Sequence, residues 1–234
     1  MNEQIHSSLN NIGTLNESSL HSTLKFLYKK PGDQLEIPVE NFIIDIVREG
    51  LLIEIQTKNF SAIKKKLEIL LNNHRVLLIH PIIKDKWIID IDFQLNKIIR
   101  KRKSPTHRSY LDIFEELIRI PDLVTNPNLT IELLLVQIEE FRVNDGKGSW
   151  RRKGWSIQDR RLVNLLEKKV FCSPIDFLML KPTNLKPPFT NYELAHSLEK
   201  PLRLAQKMSY CLRKMGIVEV IGKRGKSSLF DYVI

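Results

Sequence analysis

Between Phe42 and Lys58 two short apolar runs flank Glu49-Gly50, with Phe42 to Arg48 on one side and Leu51 to Lys58 on the other. Runs rich in Ile and Leu around a brief polar break predict strand, tight turn, strand. A loop centred on Glu49-Gly50 pairs residues whose numbers add to 99. That register sets Asp45 across from Glu54 and Ile43 across from Gln56, with all four on one face. Glu-Gly is a poorer two-residue turn than Asn-Gly, because a primed turn asks Glu49 for a positive φ. A bulge here would send Asp45 to the opposite face.

The pattern before and after this hairpin supplies its frame. Leu20, Leu24 and Leu27 recur at helical spacing up to Pro31-Gly32, so a first helix opens near Glu17, and Leu35 to Val39 is a short strand. Asn59 is placed to cap a helix over Phe60 to Leu71, with Phe60, Ile63, Leu67, Leu70 and Leu71 as its apolar stripe. Val76 to Ile83 is a near-continuous apolar run, the signature of a buried strand reached by a helical crossover, and Lys86 to Asp92 adds another strand. Residues 96–110 are basic, carry a Ser-Pro break and read as a linker. Beyond them the spacing predicts a helix over Leu111 to Ile118, either a strand or a helix over Thr130 to Val143, and a helix over Gln158 to Lys168. Ser173-Pro174 and Thr190 each open a short helix, and Pro201 opens a longer one closed by Gly216. Two strands around the basic tip Gly222 to Lys226 follow, and three helices with a hairpin make a winged helix.

Two opposed carboxylates on a sheet repel by roughly 0.2 to 1 kcal/mol. A divalent cation offsets that, since Mg²⁺ favours hard carboxylate, water and phosphate oxygens. Asp45, eight intervening residues, Glu54-Ile55-Gln56 and then a helix bearing Lys64, Lys65 and Lys66 together resemble the PD-(D/E)XK nucleases, in the variant where Gln replaces the usual Lys. The order helix, three strands, helix, strand over residues 17–92 fits the same superfamily. Ile44, not Pro, precedes Asp45, and the Lys missing at position 56 needs a substitute. The resemblance implies a restriction endonuclease-like α/β core in which Asp45 and Glu54 hold Mg²⁺ or Mn²⁺ and Gln56 orients water or phosphate. Lys64 or Lys66, which flank the apolar stripe, would replace the absent Lys. Glu17 is either a further acid of that site or a residue interacting with the helix dipole.

Charge extends the picture. The 234 residues carry a formal net charge of +10, and 42% are apolar, enough for a packed core. A basic balance points to a polyanionic partner, with nucleic acid favoured over a membrane surface. Trp150-Arg151-Arg152-Lys153-Gly154-Trp155 either stacks on bases and phosphates or anchors a core beside a basic loop. In the winged helix, Arg203, Lys207, Tyr210, Arg213 and Lys214 are the candidates on the third helix, with Lys223, Arg224 and Lys226 on the wing. Leu202, Ala205, Met208, Leu212 and Met215 would face the core. Cys172 and Cys211 lie far apart in apolar stretches and suggest neither a zinc site nor a disulfide framework. There is no signal peptide pattern and no run near the roughly 20 apolar residues of a membrane span, so the chain is expected in the cytoplasm.

The expected organisation is a flexible stretch at 1–16, a nuclease-like core at 17–95, a basic linker at 96–110, and a mainly helical region at 111–234 ending in a winged helix from about 171. The expected function is metal-dependent endonucleolytic cleavage of DNA; the residues show no interface, and a homodimer or a protein partner is left open. The rival reading is a DNA-binding regulator or targeting subunit on a nuclease fold that no longer cuts. RNA is a third possibility, because basic patches do not distinguish the sugars.

Overall fold

The computed structural model describes residues 18–92, 95 and 97–233, so Glu17 and the stretch 1–16 lie outside the described residues. The described chain is mixed α/β, a large mixed sheet with several helices and a separate two-stranded hairpin. Helix α1 (Ser19–Tyr28) comes first, then strands β1 (Gln34–Val39), β2 (Phe42–Arg48) and β3 (Leu51–Ile55). Helix α2 (Lys64–Leu70) leads to β4 (Arg75–Asp92), which is followed by β5 (Lys97–Lys103), α3 (Phe114–Leu117), β6 (Leu129–Asn144) and β7 (Trp155–Phe171). Helices α4 (Asn191–Leu198) and α5 (Leu202–Lys214) and strands β8 (Val218–Arg224) and β9 (Ser227–Tyr232) complete it. The seven-stranded sheet runs β1-β2-β3-β4-β6-β7, with β5 also pairing β4.

The chain divides into two compact units. One holds residues 18–31, 81–109 and 134–168, the other 32–80, 110–133 and 169–233, so that β4, β6 and β7 each contribute residues to both. In the second unit β1, β2 and β3 form an antiparallel meander, and β3 pairs β4 in parallel, Leu51 with Arg75 through Ile55 with Ile79. A parallel neighbour requires a crossover, and α2 supplies it. The order helix, three strands, helix, strand is therefore the observed one. Both meander turns place their central residues at positive φ, Glu40 (48°) with Asn41 (66°) and Glu49 (47°) with Gly50 (78°). These are the primed hairpin turns whose twist matches that of the strands, and Glu49 adopts the strained conformation that its position demands.

Several expectations need correction. Val76 to Ile83 and Lys86 to Asp92 are one 18-residue strand, β4. Pro81, which has no N–H to give, falls between the β3 pairing, which ends at Ile79, and the β5 pairing, which begins at Trp87. The basic stretch 96–110 is not simply a linker, because Lys97–Lys103 is strand β5, antiparallel to β4. Gln158 to Lys168 is not a helix but part of the 17-residue strand β7. Leu, Glu and Lys favour a helix there, yet pairing with β6 overrides so weak a local preference. Thr130 to Val143, open at the level of pattern, is strand β6. The region from 111 is thus mainly helical only beyond Phe171.

That C-terminal part has the expected order of elements, with one change. Pro174–Leu180 is a 3₁₀ helix, opened by Ser173 and Asp176 in a reciprocal capping box. Phe177 is buried, stacked on Phe171 at 4.4 Å and 6.2 Å from Phe114. Ala205, Met208, Leu212 and Met215 of the third helical segment face the core as expected, whereas Leu202 is only half-buried. The hairpin strands run further than expected, so that the tip narrows to Gly225-Lys226 between Arg224 and Ser227.

Candidate functional site

The β2–β3 ladder pairs Arg48 with Leu51, Val47 with Leu52 and Ile46 with Ile53. These numbers add to 99, the register the sequence called for. The regular pairing ends there, and the next opposed positions are Asp45 and Glu54. Asp45 Oδ2 accepts a hydrogen bond from the Ile55 N–H at 2.8 Å, and Glu54 Oε1 accepts one from the Asp45 N–H at 3.4 Å. Side-chain carboxylates thus take over main-chain donors where the two strands part, which fixes both acids side by side.

Glu54 is 5% exposed. Burial raises its pKa most strongly, the Lys66 charge and hydrogen bond oppose that, and the nearby Asp45 charge adds to the rise, giving about 7 against an ordinary 4.5. Lys66, from the first turn of α2, reaches Glu54 Oε1 at 2.5 Å and donates to the Ile43 carbonyl at 2.5 Å. Lys64 instead sits 3.8 Å from Glu68 on an exposed face. Of the two candidate replacements for the missing strand lysine, the helix brings Lys66 to the carboxylates. Gln56 does not join the carboxylate pair: its amide donates to the Asn59 carbonyl at 2.7 Å and holds the turn before α2.

That turn is secured from elsewhere in the same unit. Asn59 makes no side-chain cap; the Phe60 N–H donates to Glu116 Oε2 at 3.0 Å, and Arg119 binds both Glu116 and Ser61. His80 Nδ1 lies 2.6 Å from the Gln56 carbonyl, and its ring meets Phe60 edge-on at 4.8 Å. His80 therefore has a structural part, buttressing the end of β3 that carries Glu54.

Two carboxylates with hard oxygens, drawn together where the hairpin strands part, fit the chemistry of Mg²⁺ or Mn²⁺. Among the described residues no group of three or more His, Cys, Asp or Glu side chains converges, so of these residues Asp45 and Glu54 would hold the ion, with water and substrate oxygens in its shell.

The basic candidates separate into two classes. On α5, Lys207 is ion-paired with Glu115 and Lys214 with Asp122 at 3.2 Å, so both are engaged within their own unit. Arg203, Tyr210 and Arg213 lie on the exposed face, with the Arg213 guanidinium 6.0 Å over the Tyr210 ring. On the hairpin, Arg224 pairs with Glu193 at 2.5 Å, while Lys223 and Lys226 are exposed. In the other unit Trp150 is 83% exposed, with the Arg151 guanidinium 5.6 Å from its ring centre, Arg152 Nε donates to the Trp155 carbonyl, and Lys153 takes a left-handed turn conformation. Trp150 is a surface aromatic, not a core anchor. Glu116, which orients the turn before α2, escaped the sequence reading because nothing local links positions 60 and 116.

Comparison with known proteins gives three findings. A family model described as "Domain of unknown function (DUF8091)" matches residues 18–172. An "Uncharacterized protein" of Treponema pallidum (strain Nichols) is 27% identical over 221 residues, covering 94% of this chain and 86% of its own length. No solved structure matches.

Proposed function

Because the chain belongs to the DUF8091 family, whose matched residues include Asp45, Glu54 and Lys66 but whose activity is undefined, we propose from the site itself that it is a metal-dependent DNA endonuclease of the PD-(D/E)XK kind. The observation that carries this reading is Lys66. A superfamily site needs a cation beside its two acids, position 56 does not provide one, and the crossover helix delivers Lys66 to Glu54 at 2.5 Å. The αβββαβ order and the parallel β3–β4 pairing support the same reading.

Asp45 and Glu54 are the residues that would hold Mg²⁺ or Mn²⁺; when bound, such an ion lowers the pKa of water and neutralises charge on a phosphate. Lys66 holds a positive charge at the same acids, where it stabilises negative charge developing on the scissile phosphate. The Ile55 N–H orients Asp45, and Glu116, Gln56 and His80 fix the segment between β3 and α2. A winged-helix reading of residues 171–234 would bring Arg203, Tyr210, Arg213, Lys223 and Lys226 to the DNA, with Lys207 and Lys214 spent on internal pairs.

One observation favours the rival reading. The Lys66–Glu54 pair offsets part of the cost of burying the acid, as expected of a nuclease fold retained for DNA binding alone. Incubating supercoiled plasmid with wild type, Asp45→Ala, Glu54→Ala and Lys66→Ala in Mg²⁺, Mn²⁺ or EDTA separates the two. Metal-dependent nicking lost in all three variants supports the enzyme. Uncut DNA bound equally by all four proteins would sink it and leave the binding protein.

A further inference from the structure

The unit made of residues 18–31, 81–109 and 134–168 carries a second charged constellation that the candidate nuclease site does not use. Its centre is Glu140 on β6, with 0% exposure. Lys86 of β4 reaches it at 3.2 Å, Arg142 of β6 at 2.5 Å and Arg160 of β7 at 3.1 Å. Three cations thus share this one carboxylate. Burial works to raise the Glu140 pKa, but the hydrogen bond from Arg142 and the charges of Lys86, Arg160 and Arg142 hold it at about 2. Burial lowers the pKa of Lys86, and the Arg142 and Arg160 charges push it in the same direction against the pull of Glu140.

A fourth cation shares the face. Arg102 of β5 stands opposite Ile88 of β4, two residues from Lys86, so Arg102 and Lys86 project to the same side of the sheet. The Nε of Arg102 is buried and has no hydrogen-bond partner among the described residues. A buried guanidinium donor left unsatisfied is costly unless a ligand supplies the acceptor. Arg100 and Asp90, also on this face, stand 3.9 Å apart and offset each other. The result is a band of cations across β5, β4, β6 and β7, three of them held by one buried glutamate. Two residues past Arg142, β6 gives way to the turn that holds exposed Trp150 with Arg151 over its ring.

We infer that Lys86, Arg102, Arg142 and Arg160 form a phosphate-binding face for the backbone of a polynucleotide, with Glu140 as the positioning residue that holds three of them in place. Guanidinium groups suit phosphate because their planar forks bind two oxygens at once. A polynucleotide fits better than an isolated phosphate because the cations are spread over four strands, as successive phosphates require, and an exposed aromatic for base stacking lies on the same β6–β7 connection. This face shares with the proposed function only its partner, and it stands whether or not Asp45 and Glu54 support cleavage.

The test is fluorescence anisotropy of a labelled 20-mer DNA duplex and its single strand in EDTA, which removes any contribution of a metal at Asp45 and Glu54. Salt dependence is measured for wild type, Arg102→Gln, Arg160→Gln and, as an equal change of charge on an exposed helix, Lys64→Gln. Arg102 does not hold Glu140, so its replacement leaves the buried ion cluster intact. The expected result is that Arg102→Gln and Arg160→Gln each weaken binding and lower the slope of log K against log salt by about 0.9 on duplex or about 0.7 on single strand. Lys64→Gln should leave the slope unchanged. Equal slopes in all four proteins would overturn the inference and make the cluster a structural ion network. Stabilisation of wild type but not Arg102→Gln by millimolar inorganic phosphate, without an effect on DNA binding, would overturn the polynucleotide assignment in favour of a small phosphate ligand.

Discussion

Replacing Glu54 by Gln tests the electrostatics of the acidic pair without any assumption about catalysis. The folded-state pKa of Glu54 is raised to about 7 from 4.5. A raised pKa means that the folded protein binds this proton more tightly than the unfolded chain does. The stability associated with it is full below pH 4.5, falls as pH rises towards 7, and is flat above. Linkage over those two values gives a loss of roughly 1 kcal/mol by pH 5 and roughly 3 kcal/mol by pH 8. Gln cannot ionise, so Glu54→Gln should gain on wild type by roughly 2 to 3 kcal/mol between pH 5 and pH 8. Comparing two pH values cancels every effect of the substitution that does not titrate. Urea unfolding in EDTA at both pH values measures it, and Mg²⁺ added at pH 8 should stabilise wild type but not the variant. A wild-type-to-variant difference that stays constant from pH 5 to pH 8 would refute a buried, proton-accepting Glu54.

Lys66→Met removes the charge and hydrogen bond that hold the Glu54 pKa down, so that pKa should climb above about 7. Calorimetric titration of Mn²⁺ against pH should then show its midpoint displaced upward in Lys66→Met and unmoved in Lys64→Met; an unmoved midpoint in both would detach Lys66 from the site. Glu49 occupies a turn position at φ 47° that favours Asn, so Glu49→Asn should stabilise the protein by about 0.5 to 1 kcal/mol. A lower urea midpoint for that variant would show the turn to be unstrained. On α5, Arg213→Ala should weaken DNA binding several-fold while Lys214→Ala, whose side chain is paired with Asp122, changes it little; the reverse order in a filter-binding assay would place the DNA on the other side of the helix. Thr190→Ala removes the capping box that Thr190 and Glu193 form at the start of α4 and should cost about 1 kcal/mol, read from the thermal midpoint.

The hairpin at the centre of the candidate site was legible because every signal that specifies it is local. Two apolar runs, a Gly and a two-residue turn determine the register, and the register determines that Asp45 faces Glu54. The crossover helix and the parallel strand after it followed from the same patterning, because a near-continuous apolar run such as Val76 to Ile83 suits burial on both faces. The capped helices beyond Phe171 were readable for a similar reason, their start signals lying within four residues of the helices they open.

Tertiary structure decided what depends on residues far apart in the chain. Residues 158–168 have the composition of a helix and became strand β7, because pairing along β6 satisfies more backbone groups than local preference can offset. Lys64 and Lys66 were equivalent in sequence; only the placement of α2 against the end of β3 chose Lys66. Lys207 and Lys214 looked available until Glu115 and Asp122, some 92 residues before each, claimed them. Glu140 gave no sign at all, since a glutamate in an apolar strand gains its meaning from the three cations that β4, β6 and β7 bring to it. Sequence thus determined the local geometry of the acids, through alternation and turn chemistry. Which cations meet which acids was decided by folding, because electrostatic partners are selected by distance in space, which spacing along the chain does not encode.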